Sequence, residues 1–284
     1  MRKSIFQILE ENFDFQKEIK RIDNIFSRKL FSVYGVSEDF TAEQLVSKFM
    51  FLDWKQRKQH RCISLDDMKN SLEINLGLLI YVKPNLNQVL IYLEYVQNIL
   101  KLALRCMQRS NGAVEVHSDC TMLQENINVF LDHINHECHY FEDEEMVLIC
   151  EKSSQATAVA DIVAPEVAMK VIKYNHYLLK GDIDAKKDII LTLAGELEPK
   201  RAELEAINNN KKFAPNLFAM FNNMNLRHNN IDKTSKDYTE VVAKMPAEEL
   251  EKWYDEIYQM ELLAFLLLDN VEREQKIEQL KANF

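Results

Sequence analysis

The chain has 284 residues, 47% hydrophobic and 28% charged, with a formal net charge of −10. That length accommodates one large core or two ordinary ones, and the acidic balance argues against broad binding to phosphate backbones, DNA included. With 5 Gly and 5 Pro, turn residues are too sparse for an all-β fold, which needs them at short, regular intervals.

The opening Met1-Arg2-Lys3-Ser4-Ile5-Phe6 lacks an apolar h-region, so no secretory leader is expected. Ser4 with Gln7 forms a capping-box pattern, and Phe15, Ile19, Ile22, Phe26 and Leu30 then recur at helical spacing. Gly35 and Ser37 mark the end of this helix. Thr41 with Gln44 opens a second helix through Leu45, Phe49 and Leu52, continued by the basic run Lys55 to Arg61. A short helix follows Ser64 through Leu65, Met68 and Leu72. Leu76 to Val82 fits either a buried strand or a helix end, and Pro84 stops it in both cases. Asn85 with Gln88 repeats the capping-box pattern before a complete apolar stripe, Leu86 to Met107, which marks the central helix of the N-terminal core. Asn111-Gly112 reads as a turn.

The next helix is expected from Ser118 to Tyr140, with Leu123, Ile127, Phe130, Ile134 and Cys138 along one face. Met146 to Cys150 is the best strand candidate, with a short buried connector as the alternative. Ser153 or Ser154 caps a helix over Gln155 to Val163, and Pro165 restarts another. Gly181 punctuates the chain before Ala185 to Glu196 and Pro199 to Asn208, which read as two helices or one kinked helix. A helix begins at Pro215, a polar loop spans Arg227 to Lys236, and Pro246 stands at N1 of a long last helix. That helix is apolar nearly all round near Leu262 to Leu268, which predicts burial by several neighbours, and its charged tail, Glu272 to Phe284, is expected to fray. The expectation is an all-α helical bundle of two lobes, 1–141 and 142–284, with at most one small strand element near 145–151. No apolar run reaches the roughly 20 residues of a membrane span, so the chain reads as cytoplasmic, with no membrane partner.

Several residue groups invite chemistry. Asp132, His136 and His139 share one stripe if the helix runs to Tyr140, and groups at that spacing can reach one metal ion. A solvated polar face is the commoner meaning of such a stripe, and neither a metal nor a cofactor is expected. The cysteines Cys62, Cys106, Cys120, Cys138 and Cys150 form no CxxC pair and fit reduced thiols. Cys138 falls on the apolar stripe, as a core residue would. The run Lys55 to Arg61 lacks interleaved aromatics and fits a solvated helix face better than a phosphate site.

Five of the nine residues from Asn222 to Asn230 are Asn, a residue whose amide competes for backbone hydrogen bonds and favours caps and turns. Arg227 and His228 sit inside this cluster, between two predicted helices. An Arg followed at once by Asn, Asp or His in that position resembles the signature of HEPN domains, the higher-eukaryote and prokaryote nucleotide-binding family. The stretch from Tyr174 to the Pro246 helix also resembles bacterial proteins grouped with abortive infection. The resemblance implies an RNA-directed defence or toxin-like homodimer and a metal-independent ribonuclease, with Arg227 and His228 as catalytic residues and Asn223, Asn229, Asn230 and Lys233 as RNA contacts. The family's downstream His has no counterpart here, since no His follows His228. A non-enzymatic helical interaction or oligomerisation protein is the alternative.

Overall fold

The structure is a computed structural model that describes residues 14–109, 113–207 and 212–284. The Ser4–Gln7 pattern and the Asn111-Gly112 turn lie outside the described residues. The chain is mostly helical, with two small two-stranded sheets. It divides between Lys152 and Ser153 into two compact units.

The first unit is built on the helix that the apolar stripe foretold, α6 (Leu86–Arg109), whose Val89, Leu90, Leu93, Val96, Ile99, Leu100 and Ala103 are buried. Before it come α1 (Phe15–Phe26), β1 (Phe31–Val33), α2 (Ala42–Phe49), α3 (Lys55–His60), α4 (Leu65–Ser71) and α5 (Leu76–Tyr81). The Thr41–Gln44 capping box forms as expected, and Asn85 and Gln88 exchange the same pair of bonds at 2.9 and 3.1 Å. Each box satisfies N–H groups that a helix start leaves open. The ambiguous segment Leu76–Val82 resolves as the helix α5. The first helix stops at Phe26, earlier than the apolar spacing suggested, and Leu30 belongs to the turn into β1. The basic run does not continue α2 either: the chain breaks at Met50–Trp54 and restarts as α3.

After α6, β2 (Val114–Val116) pairs antiparallel with β1, with Phe31 opposite Val116. Helix α7 (Ser118–His133) then ends well short of Tyr140. Asn135 takes a left-handed conformation (φ 59°), and β3 (His136–Phe141) pairs antiparallel with β4 (Met146–Glu151), His136 opposite Glu151. The structure thus has two small sheets where one strand element was expected. The division at 152/153 leaves this hairpin, whose strands lie on either side of 141/142, wholly within the first unit.

Helix α6 holds the hairpin with side chains that act as backbone. The buried Asn98 accepts from the N–H of Val147 at 2.8 Å and donates to its carbonyl at 2.9 Å. Glu94 accepts from the N–H of Ile149 at 2.7 Å. Strand β4 is an edge here, and a buried edge must find partners for its main-chain groups. The hairpin tip is clamped as well. Trp54 Nε1 donates to the carbonyl of Glu145 at 3.1 Å, Gln56 to that of Glu144 at 3.2 Å, and Arg105 pairs with the Glu145 carboxylate at 2.5 Å.

The second unit contains α8 (Ser154–Ala160), capped by Ser153, then α9 (Pro165–Lys173), α10 (Ile183–Leu197), α11 (Arg201–Ala206), α12 (Phe213–Asn223), α13 (Glu240–Ala243) and α14 (Ala247–Lys281). Gly181 precedes α10 at φ 85°, a conformation that favours glycine. Pro246 is the N-cap of α14, one position before the expected N1. At 35 residues, α14 is about 50 Å long. It buries Tyr254, Ile257, Tyr258, Leu262, Ala264 and Phe265, and it stays helical through Lys281, where fraying was expected. No helix among the described residues is long and apolar enough to cross a membrane.

Replacing Asn98 with Leu would orphan the N–H and C=O of Val147 in an apolar setting. The expected loss is about 2–4 kcal/mol of unfolding free energy, read by urea denaturation, with α6 itself still helical by circular dichroism. A loss below about 0.5 kcal/mol would contradict the role assigned to this amide.

Candidate functional site

The Asn-rich segment folds as a closed turn after α12. Asn225 reverses the chain in a left-handed conformation (φ 55°), which Asn tolerates better than most residues. The N–H of Arg227 then bonds back to the carbonyl of Phe221 at 3.0 Å. Asn230 is the pin of this loop. It is almost fully buried (1% exposed), accepts from the Asn225 N–H at 2.8 Å and donates to the Asp237 carbonyl at 2.7 Å. The amide of Asn223 bonds to Ala219 O at 2.7 Å in its own helix, and Asn229 accepts from the Asp232 N–H at 3.2 Å, an Asx-type turn. Lys233 is exposed on the same loop. The Asn residues named for RNA contact therefore all make local bonds within this chain, and burial of Asn230 removes it from any surface.

Arg227 and His228 leave this turn toward different partners. The Arg227 guanidinium reaches the end of α10, where it donates to Ala194 O at 3.5 Å and pairs with Glu198. It lies over the ring of Phe221, 4.9 Å from the centroid, with Phe218 at 6.0 Å. A cation at a helix C-terminus and over aromatic faces is favourable on both counts. His228 is exposed and sets its Nδ1 3.6 Å from an Asp237 carboxylate oxygen. The two side chains share no partner, as expected for adjacent residues whose directions diverge.

A residue that sequence reasoning missed lies beneath. Glu261 of α14 is fully buried, and neither of its carboxylate oxygens has a hydrogen-bond partner. Burial pushes its carboxyl well above the usual carboxylate range, and Arg227 is the opposing influence. The signal was present in the sequence: Glu261 is the one charged residue between Met260 and Leu268, inside the most apolar stretch of the helix. Close by, Tyr174 stacks on Tyr258 with ring centroids 3.9 Å apart and donates to Asp255 at 3.0 Å. Lys186 of α10, itself buried, pairs with Asp255 at 2.7 Å and Glu251 at 2.8 Å. Glu251 is partly buried, which alone would raise its carboxyl, but bonds from Lys186 and the Gly181 N–H hold it below the usual range.

The other candidates resolve simply. Asp132, His136 and His139 do not share a helical stripe, because α7 ends at His133 and both histidines lie on β3. His136 is buried against Ile134 O at 2.7 Å, His139 faces Glu137 at 3.1 Å, and Asp132 pairs with Lys152. No cluster of three or more His, Cys, Asp or Glu suited to a metal occurs among the described residues. All five cysteines are free. Burial, with Glu94 and Glu137 nearby, pushes the Cys138 thiol up to about 12, and burial alone lifts Cys120 to about 11. Such thiols resist forming the thiolate that reactivity needs. In the basic run, Lys55 bonds to the Asp143 carbonyl and Gln56 to that of Glu144, so its start serves the hairpin tip.

Compared with family models, with curated proteins and with solved structures, the chain matches none of them.

Glu261 makes a sharp stability prediction. Its folded-state pKa lies above the unfolded value, so the protonated carboxyl's contribution is complete below about pH 4 and is lost as pH rises toward the folded pKa. Glu261→Met removes an unpartnered buried carboxyl at similar volume. It should raise stability at neutral pH by about 1–3 kcal/mol and flatten the fall between acidic and neutral pH, both measured by denaturation at a series of pH values. A variant less stable than wild type at neutral pH would mean that Glu261 has a partner worth more than its burial costs.

Proposed function

We propose that this protein works by non-covalent association through its helical surfaces, as an interaction or oligomerisation scaffold, and not by catalysis. One observation carries the reading. Arg227 and His228 each face a carboxylate of their own chain, Glu198 and Asp237, and they do so in different directions. Cleavage of RNA through its 2′-OH needs a base and a phosphate-holding cation at one reacting centre. Here the guanidinium also caps α10 and covers Phe221, an arrangement that suits structure. The net charge of −10 points the same way.

A second reading keeps a specific observation in its favour. His228, exposed, and Asp237, half-buried, form an imidazole–carboxylate pair on a loop that also carries Lys233 and Lys236. A carboxylate that orients an imidazole is a recurring feature of general bases. In that reading the chain is an RNA-directed, HEPN-like defence or toxin-like protein, dimeric, with Arg227 reaching RNA only after release from Glu198.

The two readings part on a direct assay. Purified protein is incubated with tRNA and with total RNA, wild type beside His228→Ala and Arg227→Ala. The scaffold reading expects no turnover above buffer for any of the three. It expects His228→Ala to change stability by less than about 0.5 kcal/mol, and Arg227→Ala to lower it by about 1–2 kcal/mol through the lost cap and ring contact. RNA degraded by wild type and spared by His228→Ala would sink it.

A further inference from the structure

The outer half of α14 carries an apolar seam that the chain itself leaves uncovered except at Leu266, which is half-buried. From Glu272 to Phe284 every residue is exposed. Along α14, Leu263, Leu266, Asn270, Arg273, Ile277 and Leu280 alternate spacings of three and four, the a and d positions of a heptad. Leu263, Ile277 and Leu280 are 46%, 49% and 57% exposed. The same face nearer the helix start is polar, with Lys252, Glu256 and Gln259 at the equivalent positions. The seam therefore begins where the solvated stripe turns apolar, at Leu263.

We propose that this segment pairs antiparallel with the same segment of a second copy of the chain, a step that rests on the association reading and gives it a partner. The layers select the orientation. In an antiparallel pair, a positions of one helix meet d positions of the other. Setting Leu263 opposite Leu280 also sets Leu266 opposite Ile277 and Asn270 opposite Arg273, and the two-fold axis repeats each layer. Every apolar residue then meets an apolar one, and the two polar residues meet each other, where the Asn carbonyl oxygen suits an Arg donor. A polar a-position residue fixes register in this way at some cost in stability.

Charge makes the same choice. The flanking g positions are Asp269 and Lys276, and in the antiparallel register each Asp269 faces the other copy's Lys276 position. In a parallel, in-register pair, Asp269 would instead approach Glu274, Lys276 would approach Lys281, and Arg273 would face Arg273. Like charges so placed disfavour that arrangement. The tail is a preformed helix, steadied by Asp269–Arg273 and by Asn270 to Glu274 at 2.9 Å, so pairing has little backbone order left to impose. A two-fold pairing of this kind closes on itself as a dimer.

The test is sedimentation equilibrium of the full chain over about 1–200 µM, a range that brackets micromolar dissociation. Wild type should show a monomer–dimer equilibrium. Ile277→Asp with Leu280→Asp, both at exposed positions, should leave the helical content unchanged and weaken the dimer by more than about a hundredfold. Asp269→Lys and Lys276→Asp should each weaken it by about threefold to tenfold, and the double variant D269K/K276D, which regains the pair between copies but loses Asp269–Arg273 within each helix, should associate more tightly than either single variant. A wild-type chain that is monomeric throughout the range, a dimer that survives the paired Asp substitutions, or a charge swap that associates no more tightly than the single variants would each overturn the seam. RNA turnover bears on none of these outcomes, so failure of the seam and failure of the association reading are told apart.

Discussion

Lys186 is the cation around which the second unit is assembled. Its ammonium is buried between α10 and α14 and meets Glu251 and Asp255, one turn apart on the same face of α14. A buried charge is tolerable only when paired and hydrogen-bonded. Here Asp255 also accepts from Tyr174, and Glu251 from the Gly181 N–H at 2.7 Å. Tyr258, one turn further, donates to Val171 O at 2.7 Å and accepts from Asn175 at 2.9 Å. Three successive turns of α14 are thus tied to fixed partners, and the helix cannot rotate about its axis without breaking them. That restriction decides which stripe the rest of α14 turns outward, including the apolar stripe beyond Leu263.

The first unit solves a different problem with the same means. Its hairpin presents a buried strand edge to a helix, and a helix has no free main-chain groups to offer in mid-length. Asn98 and Glu94, one turn apart on α6, supply amide and carboxylate groups in their place. Both residues look out of place in an apolar stripe, and each is explained by the strand it serves.

Much of the architecture was legible in the sequence because it depends on local rules. The capping pairs Thr41–Gln44 and Asn85–Gln88, the Ser64 and Ser153 caps and the apolar stripe of α6 all read directly. What failed was non-local. Ile134 and Cys138 continue the helical spacing of α7, and nothing nearby announces that His136–Phe141 has a strand partner ten residues further on. Only Asn135, suited to the left-handed turn it adopts, marked the break. The turn after α12 was foreseeable from its Asn content. The partners of Arg227 and His228 were not, since Ala194, Glu198 and Asp237 reach them through tertiary packing. Glu261 stood in plain sight within an apolar run and was passed over because helical pattern reading counts faces and does not ask how a lone charge on one of them is satisfied.

The distribution of thiols between the units has a practical result. Cys62, Cys106, Cys120, Cys138 and Cys150 all fall before Lys152, four of them buried, and the second unit has none. A thiol-modifying reagent therefore counts openings of the first unit alone. The indoles are shared out differently, Trp54 buried in the first unit and Trp253 half-exposed in the second. Slow alkylation follows the first unit by itself, and tryptophan emission, one indole from each unit, follows both, so a change in emission without alkylation marks the second unit without a label being added.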